Sequence, residues 1–106
     1  MLRLIIIEKT VSKNKLNQWI YIPLSRVEEV KVGDEVVVEV WSNNKLIRKS
    51  IYRVLEKEIC RKTKRGEKCY SYKYIYVQLP WFNVIRGAGG DPRNLRIVVK
   101  SVDFIN

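Results

Sequence analysis

The densest group of charged side chains lies between the two cysteines of the sequence. Eight consecutive positions there carry five cations and one acid, and the cations are Arg61, Lys62, Lys64, Arg65 and Lys68. Cations gathered on a turn can straddle phosphates, and each phosphate that they neutralise releases counterions. The segment is therefore the best candidate for a nucleic-acid contact, although most charge runs are only solvated turns.

Cys60 and Cys69 flank this basic segment symmetrically. In a hairpin centred between Lys64 and Arg65 they would lie opposite each other, and a disulfide there would stabilise the loop by about 2–3 kcal/mol. Two free buried thiols are the alternative. Disulfides inside cells are unusual except in hyperthermophiles, a source that the richness in Lys, Glu, Ile and Val would fit. No metal site is expected, because two cysteines without a histidine cannot complete a zinc shell.

Four tyrosines follow the basic segment at period two and must share one face of a strand; they are Tyr70, Tyr72, Tyr74 and Tyr76. Rings beside cations suit the stacking of unpaired bases. However, such a face is more often part of a core or of a subunit interface, and no RNA-binding motif accompanies it. The core or interface is the favoured interpretation.

The sequence offers few groups that could carry out catalysis. The sequence has no histidine, and the acids between Glu28 and Glu39 are explained by helix capping and charge balance. The loop from Arg86 to Arg93 is rich in glycine but lacks the Lys-Ser/Thr end of a phosphate-binding loop. We therefore predict neither an enzyme nor a cofactor.

The net charge of the chain points to a polyanionic partner. The 106 residues suit a single domain, and the formal net charge is +10.

No apolar run approaches the roughly 20 residues that cross a bilayer. The run Leu2–Ile7 is too short for a signal peptide, so the expected location is the cytoplasm (the host cytoplasm if the protein is viral), without a membrane partner.

The elements that would position these residues are mainly β-strands, and the predicted class is all-β with antiparallel hairpins and one or two short helical turns. A capping-box pattern predicts one helical turn over Ser25–Val30 and an early proline predicts another over Pro80–Ile85. The Asn43-Asn44 pair predicts a hairpin turn. The predicted strands are Leu2–Lys9, Trp19–Ile22, Val36–Trp41, Leu46–Cys60, Cys69–Gln78 and Arg96–Lys100.

Three segments in a row, Trp19–Pro23, Val30–Val40 and Asn43–Ile47, carry an Ile-Pro step, a Gly-Asp turn and a β-hairpin. In this order they resemble the AbrB-type swapped-hairpin family over about residues 1–52. A weaker repeat lays Tyr21–Leu24 over Tyr76–Leu79, so that 53–106 could be a second copy in one compact domain. The resemblance implies a swapped-hairpin-like β-barrel; an OB-like or SH3-like barrel is the alternative.

Members of that family are typically dimeric, DNA-binding transcription regulators. The resemblance implies Lys13, Lys15 and Arg26 as contacts of the first half. Arg86, like Arg26, follows the second strand of its half and would flank the loops. We therefore predict a protein that binds nucleic acid, with double-stranded DNA favoured over single-stranded DNA or RNA, as a transcription regulator or an architectural protein. A homodimer is the candidate oligomer. The alternative is a homo-oligomeric assembly protein, of viral or accessory-element origin, whose tyrosine face is an interface and whose charge aids solubility.

Overall fold

The computed structural model describes residues 3–14 and 18–102. Its strands form two antiparallel sheets with the orders β1-β7-β3-β4 and β2-β6-β5. This confirms the mainly antiparallel β class, and no closed barrel is found in the described ranges. The elements are β1 (Arg3–Lys9), β2 (Gln18–Pro23), β3 (Glu35–Ser42), β4 (Lys45–Arg53), β5 (Leu55–Thr63), β6 (Gly66–Leu79), α1 (Phe82–Gly87) and β7 (Leu95–Ser101).

The core lies between the two sheets and is built from Val, Ile and Leu at alternate positions of their strands. Because side chains alternate along a strand, each strand sends every second residue inward. Burial of one such side chain is worth about 1.5–3 kcal/mol. The inward residues of the central strands are Val36, Val38 and Val40 on β3, Leu95, Ile97 and Val99 on β7, and Ile75, Val77 and Leu79 on β6.

The hairpin between β3 and β4 forms as predicted. Asn43 and Asn44 have φ values of 51° and 61°, the left-handed conformation that a two-residue hairpin turn requires and that asparagine tolerates.

The predicted single strand from Leu46 to Cys60 is wrong, because the chain changes sheets at Val54. Val54 is 1% exposed. Its N–H donates to the Asp34 carbonyl (2.8 Å), and its own carbonyl accepts from the Gly33 N–H (2.9 Å). These bonds anchor the chain between β4 in one sheet and β5 in the other. The sequence alternates across this point without a turn residue, so nothing local marked it.

The predicted helical turn over Ser25–Val30 is also wrong, and this segment forms successive turns. The Ser25 hydroxyl does not cap a helix but accepts from the backbone N–H of Lys73 (3.1 Å). The Lys73 ammonium donates to the carbonyls of Val27 (2.7 Å) and Val30 (2.6 Å). A lysine from a distant strand therefore satisfies the polar groups that helix formation would have satisfied locally.

The helix predicted after Pro80 is confirmed as α1, which buries Ile85 against the core. The loop after it lies on the end of β3. There the Ser42 hydroxyl accepts from the Asp91 N–H (2.7 Å) and lies 3.0 Å from the carbonyls of Asp91 and Asn94. Gly90 passes so close to Ile85 and Ser42 that a Cβ at this position would lie 2.9 Å from a carbon atom of each.

Strand pairing relates the two parts that the sequence overlay aligns. The overlay matches Tyr21 with Tyr76, and these residues pair directly across β2 and β6. With a short gap the same overlay brings Gly33-Asp34 onto Gly90-Asp91. That offset matches Val40 with Ile97, and these two residues pair across β3 and β7. Such pairing is expected of equivalent strands related by a two-fold axis. The division into two similar halves stays a prediction, because β1 pairs with β7 whereas its counterpart β5 pairs with β6.

Candidate nucleic-acid interface

A hairpin arm, residues 58–71 at the ends of β5 and β6, projects from the sheets, and every residue in it is exposed. Its turn holds Lys64 and Arg65, and the Thr63 hydroxyl closes the turn by donating to the Gly66 carbonyl (2.8 Å). The arm makes the molecule long: the principal extents are 55 × 41 × 16 Å and the radius of gyration is 16.2 Å, against roughly 13 Å for a compact domain of about 100 residues.

A disulfide joins Cys60 to Cys69, which are direct partners in the β5–β6 register with their Cα atoms 4.0 Å apart. The bridge holds the two strands of the arm in one register where no core supports them. The Glu58 carboxylate lies nearby, but the bonded sulfurs are not thiolates and cannot serve as metal ligands.

The five cations predicted from the sequence all lie on the arm. Arg61 and Lys68 pair across the strands, Lys62 faces Glu67, and Lys64 and Arg65 form the tip. Among the described residues, no carboxylate oxygen lies within 4.0 Å of any of these cations. Their charge is therefore available to an external anion.

The other predicted contacts lie on separate elements. Lys13 is exposed in the turn that follows Val11, and Lys15 lies outside the described residues. Arg26 is exposed just after Leu24, whose N–H donates to the Lys73 carbonyl (2.9 Å), so Arg26 stands near the base of the arm. Arg86 is exposed on α1 with its guanidinium carbon 5.9 Å from the centroid of the Phe82 ring.

The tyrosine face does not belong to the core. The side chains of β6 that point inward are Ile75, Val77 and Leu79, which are buried, and the tyrosines point to the solvent side of the β2-β6-β5 sheet. We call this side the outer face. Its aromatic residues are Trp19, Tyr21, Tyr70, Tyr72, Tyr74 and Tyr76.

The rings of the outer face contact one another. The Tyr21 centroid lies 5.1 Å from that of Tyr74 and 5.8 Å from that of Tyr76. The rings of Tyr74 and Tyr76 are 5.5 Å apart and nearly perpendicular. Sequence reasoning missed Tyr21 as a member of this group, because its place depends on the pairing of β2 with β6, which no local pattern reveals.

Charge is divided between the two sides of the β5–β6 hairpin. Strand alternation places Lys57, Arg61 and Lys68 on the outer face with the tyrosines. The three acids of this hairpin, Glu56, Glu58 and Glu67, alternate onto the opposite side with the disulfide. The Lys57 ammonium lies 4.4 Å from the centroid of the Tyr21 ring, a cation–π contact that places both groups on the same side.

The four-stranded sheet carries its own polar cluster on its solvent side. The Lys100 ammonium and the Glu39 carboxylate lie 2.7 Å apart, and the Trp41 indole N–H donates to the same carboxylate (3.1 Å). Burial raises the pKa of Glu39, but these partners outweigh it and hold the pKa below its usual value. A cavity of about 870 Å³ lies over this cluster. Since each polar group already has a partner, the cluster is explained as part of the sheet's structure.

No protein-family model, curated protein or solved structure matches this chain. Among the described residues, no helix is long and apolar enough to cross a membrane.

Proposed function

We propose that this protein binds nucleic acid and that the arm makes the main contact with phosphates. The observation that carries the proposal is the set of five cations without carboxylate partners on an exposed, disulfide-linked ribbon. On a projecting ribbon they can approach a polyanion from several sides.

Double-stranded DNA is the expected target of the arm. The major groove is about 12 Å wide and admits a two-stranded β-ribbon. Arg61 and Arg65 can each donate two hydrogen bonds to a guanine edge, while the lysines contact phosphates. Arg26, near the base of the arm, would meet the backbone outside the groove. A role as a transcription regulator or an architectural protein follows from this mode of binding and from the resemblance of the first half to the AbrB-type family.

Reversal of two tip charges tests the arm. We expect Lys64→Glu with Arg65→Glu to weaken binding to a labelled duplex at least tenfold in about 100 mM salt, because fewer counterions are released. The slope of log K against log salt should fall by roughly two, since each neutralised phosphate contributes about 0.9. Fluorescence anisotropy across a salt series measures both quantities.

The matched control reverses two exposed cations elsewhere, with Lys9→Glu and Lys31→Glu, and produces the same net charge. If the control weakens binding as much as the tip variant does, binding depends on the net charge of the protein and not on the arm. If the wild type binds no duplex even at low salt, the proposal is wrong.

A second candidate function is homo-oligomeric assembly. The observation that favours it is the large aromatic surface on the outer face, beside the edge strand β2. Sedimentation equilibrium distinguishes the two functions: a tight oligomer without affinity for duplex DNA, single-stranded DNA or RNA supports assembly. A monomer that binds duplex DNA contradicts it.

A further inference from the structure

We propose that the outer face of the β2-β6-β5 sheet is a second nucleic-acid site, which binds unpaired bases by stacking them on its aromatic rings. The inference rests on the proposed function in one respect, that the partner is a nucleic acid. It differs from that function in the form of the ligand, because the arm contacts phosphates whereas the outer face contacts bases. The outer face shares Arg61, Lys68 and Tyr70 with the arm and extends beyond it over β2 and the rest of β6.

The first support is the accessibility of the rings. Trp19 is 54% exposed, and Tyr70 and Tyr76 are each 47% exposed. Large aromatic side chains with this exposure are uncommon as a group on a monomer surface, and contiguous patches of this kind mark interaction sites.

The second support is that the rings are held in place. Tyr70, Tyr72, Tyr74 and Tyr76 alternate along β6. Tyr70 and Tyr72 pair with residues of β5, Tyr76 pairs with Tyr21 of β2, and Tyr74 has a partner on both sides. The centroids of Tyr70 and Tyr72 are 6.5 Å apart, and those of Tyr74 and Tyr76 are 5.5 Å apart. A row of rings fixed on a sheet presents successive π-faces at little entropic cost, which suits the successive bases of a single strand.

The third support is the charge of the face. Lys57, Arg61 and Lys68 are its charged side chains within the described β2, β5 and β6, and all three are cations. Cations among rings can bind the phosphates between stacked bases, as in other sites for single-stranded nucleic acid. The acids of the hairpin stand on the opposite side, so the charge of the outer face complements a polyanion.

The same charge argues against a second copy of this chain as the occupant. Pairing of two outer faces would bring the cations of each copy toward those of the other without an acid between them, and like charges across an interface cost several kcal/mol. Duplex DNA does not fit the outer face either, because its bases stack on each other and their π-faces are closed to the protein.

The test compares ring removal with ring conservation. The probe is a labelled oligothymidylate of about 15 nucleotides, within the usual site sizes, and the counter-probe is a duplex of the same length. We expect Tyr21→Ala and Tyr76→Ala each to weaken oligothymidylate binding by about fivefold or more, the lower limit for one stacked base. Both residues lie outside the arm, and Tyr21→Phe and Tyr76→Phe, which keep the rings, should bind as the wild type does.

None of these substitutions changes the charge, so the salt slope and the affinity for the duplex should stay constant. Quenching of Trp19 emission by the oligothymidylate, measured as the difference from Trp19→Phe, gives a second readout that places a base on the face.

Four results would overturn the inference, and the first three separate it from the proposed function. If the alanine variants bind oligothymidylate as the wild type does, the outer face is not a base site, while duplex binding by the arm stands. If the phenylalanine variants lose as much affinity for oligothymidylate as the alanine variants, binding depends on the tyrosine hydroxyls and not on stacking. If the wild type binds duplex but no single strand, the arm alone is functional. Absence of binding to both probes refutes both proposals.

Discussion

At the scale of single residues, the Glu39–Lys100 pair is the most sensitive polar contact. The Glu39 residue is 6% exposed, so its carboxylate depends on the Lys100 ammonium and the Trp41 indole for the hydrogen bonds that water would otherwise give. Loss of the charge leaves the Lys100 ammonium without its counter-charge and gives both donors a weaker acceptor in a site with little water, and hydrogen bonds to charged groups are the stronger ones.

We therefore expect Glu39→Gln to lower the free energy of unfolding by about 1–3 kcal/mol at pH 7. The folded-state pKa of Glu39 lies below the unfolded value, so the stabilisation is complete above the unfolded pKa, about 4.3, and is lost as the pH falls through the folded one. The difference in stability between wild type and variant, measured by urea titration, should shrink as the pH falls below the unfolded pKa.

Glu35→Gln is the matched control, because Glu35 and Arg53 are exposed and their charged atoms lie 4.0 Å apart. Exposed pairs contribute about 0–1 kcal/mol. An equal loss in both variants, or a Glu39→Gln defect that does not shrink as the pH falls, would contradict this account.

The residue scale also shows what the sequence could reveal about the site. The period-two spacing of the tyrosines correctly predicted that the four rings lie on one side of the strand, because alternation along a strand is a local property. The sequence could not show whether that side faces the solvent or the core, because Ile75 and Val77 on one side and the tyrosines on the other are all strong strand formers. The favoured assignment of the tyrosines to a core or an interface was wrong for the core, and the interface remains the alternative to be tested.

At the scale of elements, the loop after α1 depends on a residue without a side chain. Gly90 passes between the Ser42 Cβ and the Ile85 side chain, and a Cβ there would lie 2.9 Å from each and 3.1 Å from Ile47. The Ser42 Cβ is fixed by β3 and Ile85 is buried, so neither can move freely. The loop would have to shift, which would strain the hydrogen bonds between Ser42 and Asp91.

Gly90→Ala is therefore expected to destabilise the fold by about 1–3 kcal/mol, the usual cost of overpacking. Thermal unfolding followed by circular dichroism should show a lower Tm, by roughly 4–8 °C per kcal/mol for a domain of this size.

Gly87→Ala provides the comparison, since a Cβ there meets no atom within 4 Å and alanine is the better helix former. Its Tm should stay the same or rise. A Gly90→Ala protein as stable as the wild type would show that the loop adjusts without cost.

Elements with local signals were predictable, and elements defined by distant contacts were not. The Asn43-Asn44 turn and the helix after Pro80 follow from the conformational preferences of those residues. The break at Val54 depends on hydrogen bonds to the segment around Asp34, and the lost helix after Ser25 depends on Lys73. Both partners come from other parts of the chain, where single-sequence patterns carry no information.

At the scale of the whole molecule, the excess charge acts on the protein itself. The chain has 21 Lys and Arg against 11 Asp and Glu, and mutual repulsion of like charges opposes the compact state. Salt screens this repulsion, with a Debye length of about 10 Å at 0.1 M.

We expect the Tm to rise by several degrees between about 20 mM and 500 mM NaCl, because screening relieves the repulsion over this range. The Lys64→Glu, Arg65→Glu variant carries four fewer units of net charge and should show a smaller rise. Differential scanning calorimetry in a salt series measures both. A Tm that falls with added salt would mean that ion pairs outweigh repulsion in this protein.

The pairing of β7 with both β1 and β3 has a consequence for the way the protein is made. On the ribosome β1 emerges first, but the strand that pairs with it, Leu95–Ser101, follows after most of the chain, about 5–20 s later at usual elongation rates. The valine-rich β3 (Glu35–Ser42) also pairs with β7, so one of its edges stays unpaired until β7 has been made. The β5–β6 hairpin, by contrast, has all its partners close in sequence and can close within microseconds. The arm is thus complete during synthesis, while the sheet that buries the valines still lacks its central strand and stays open to aggregation or to a chaperone.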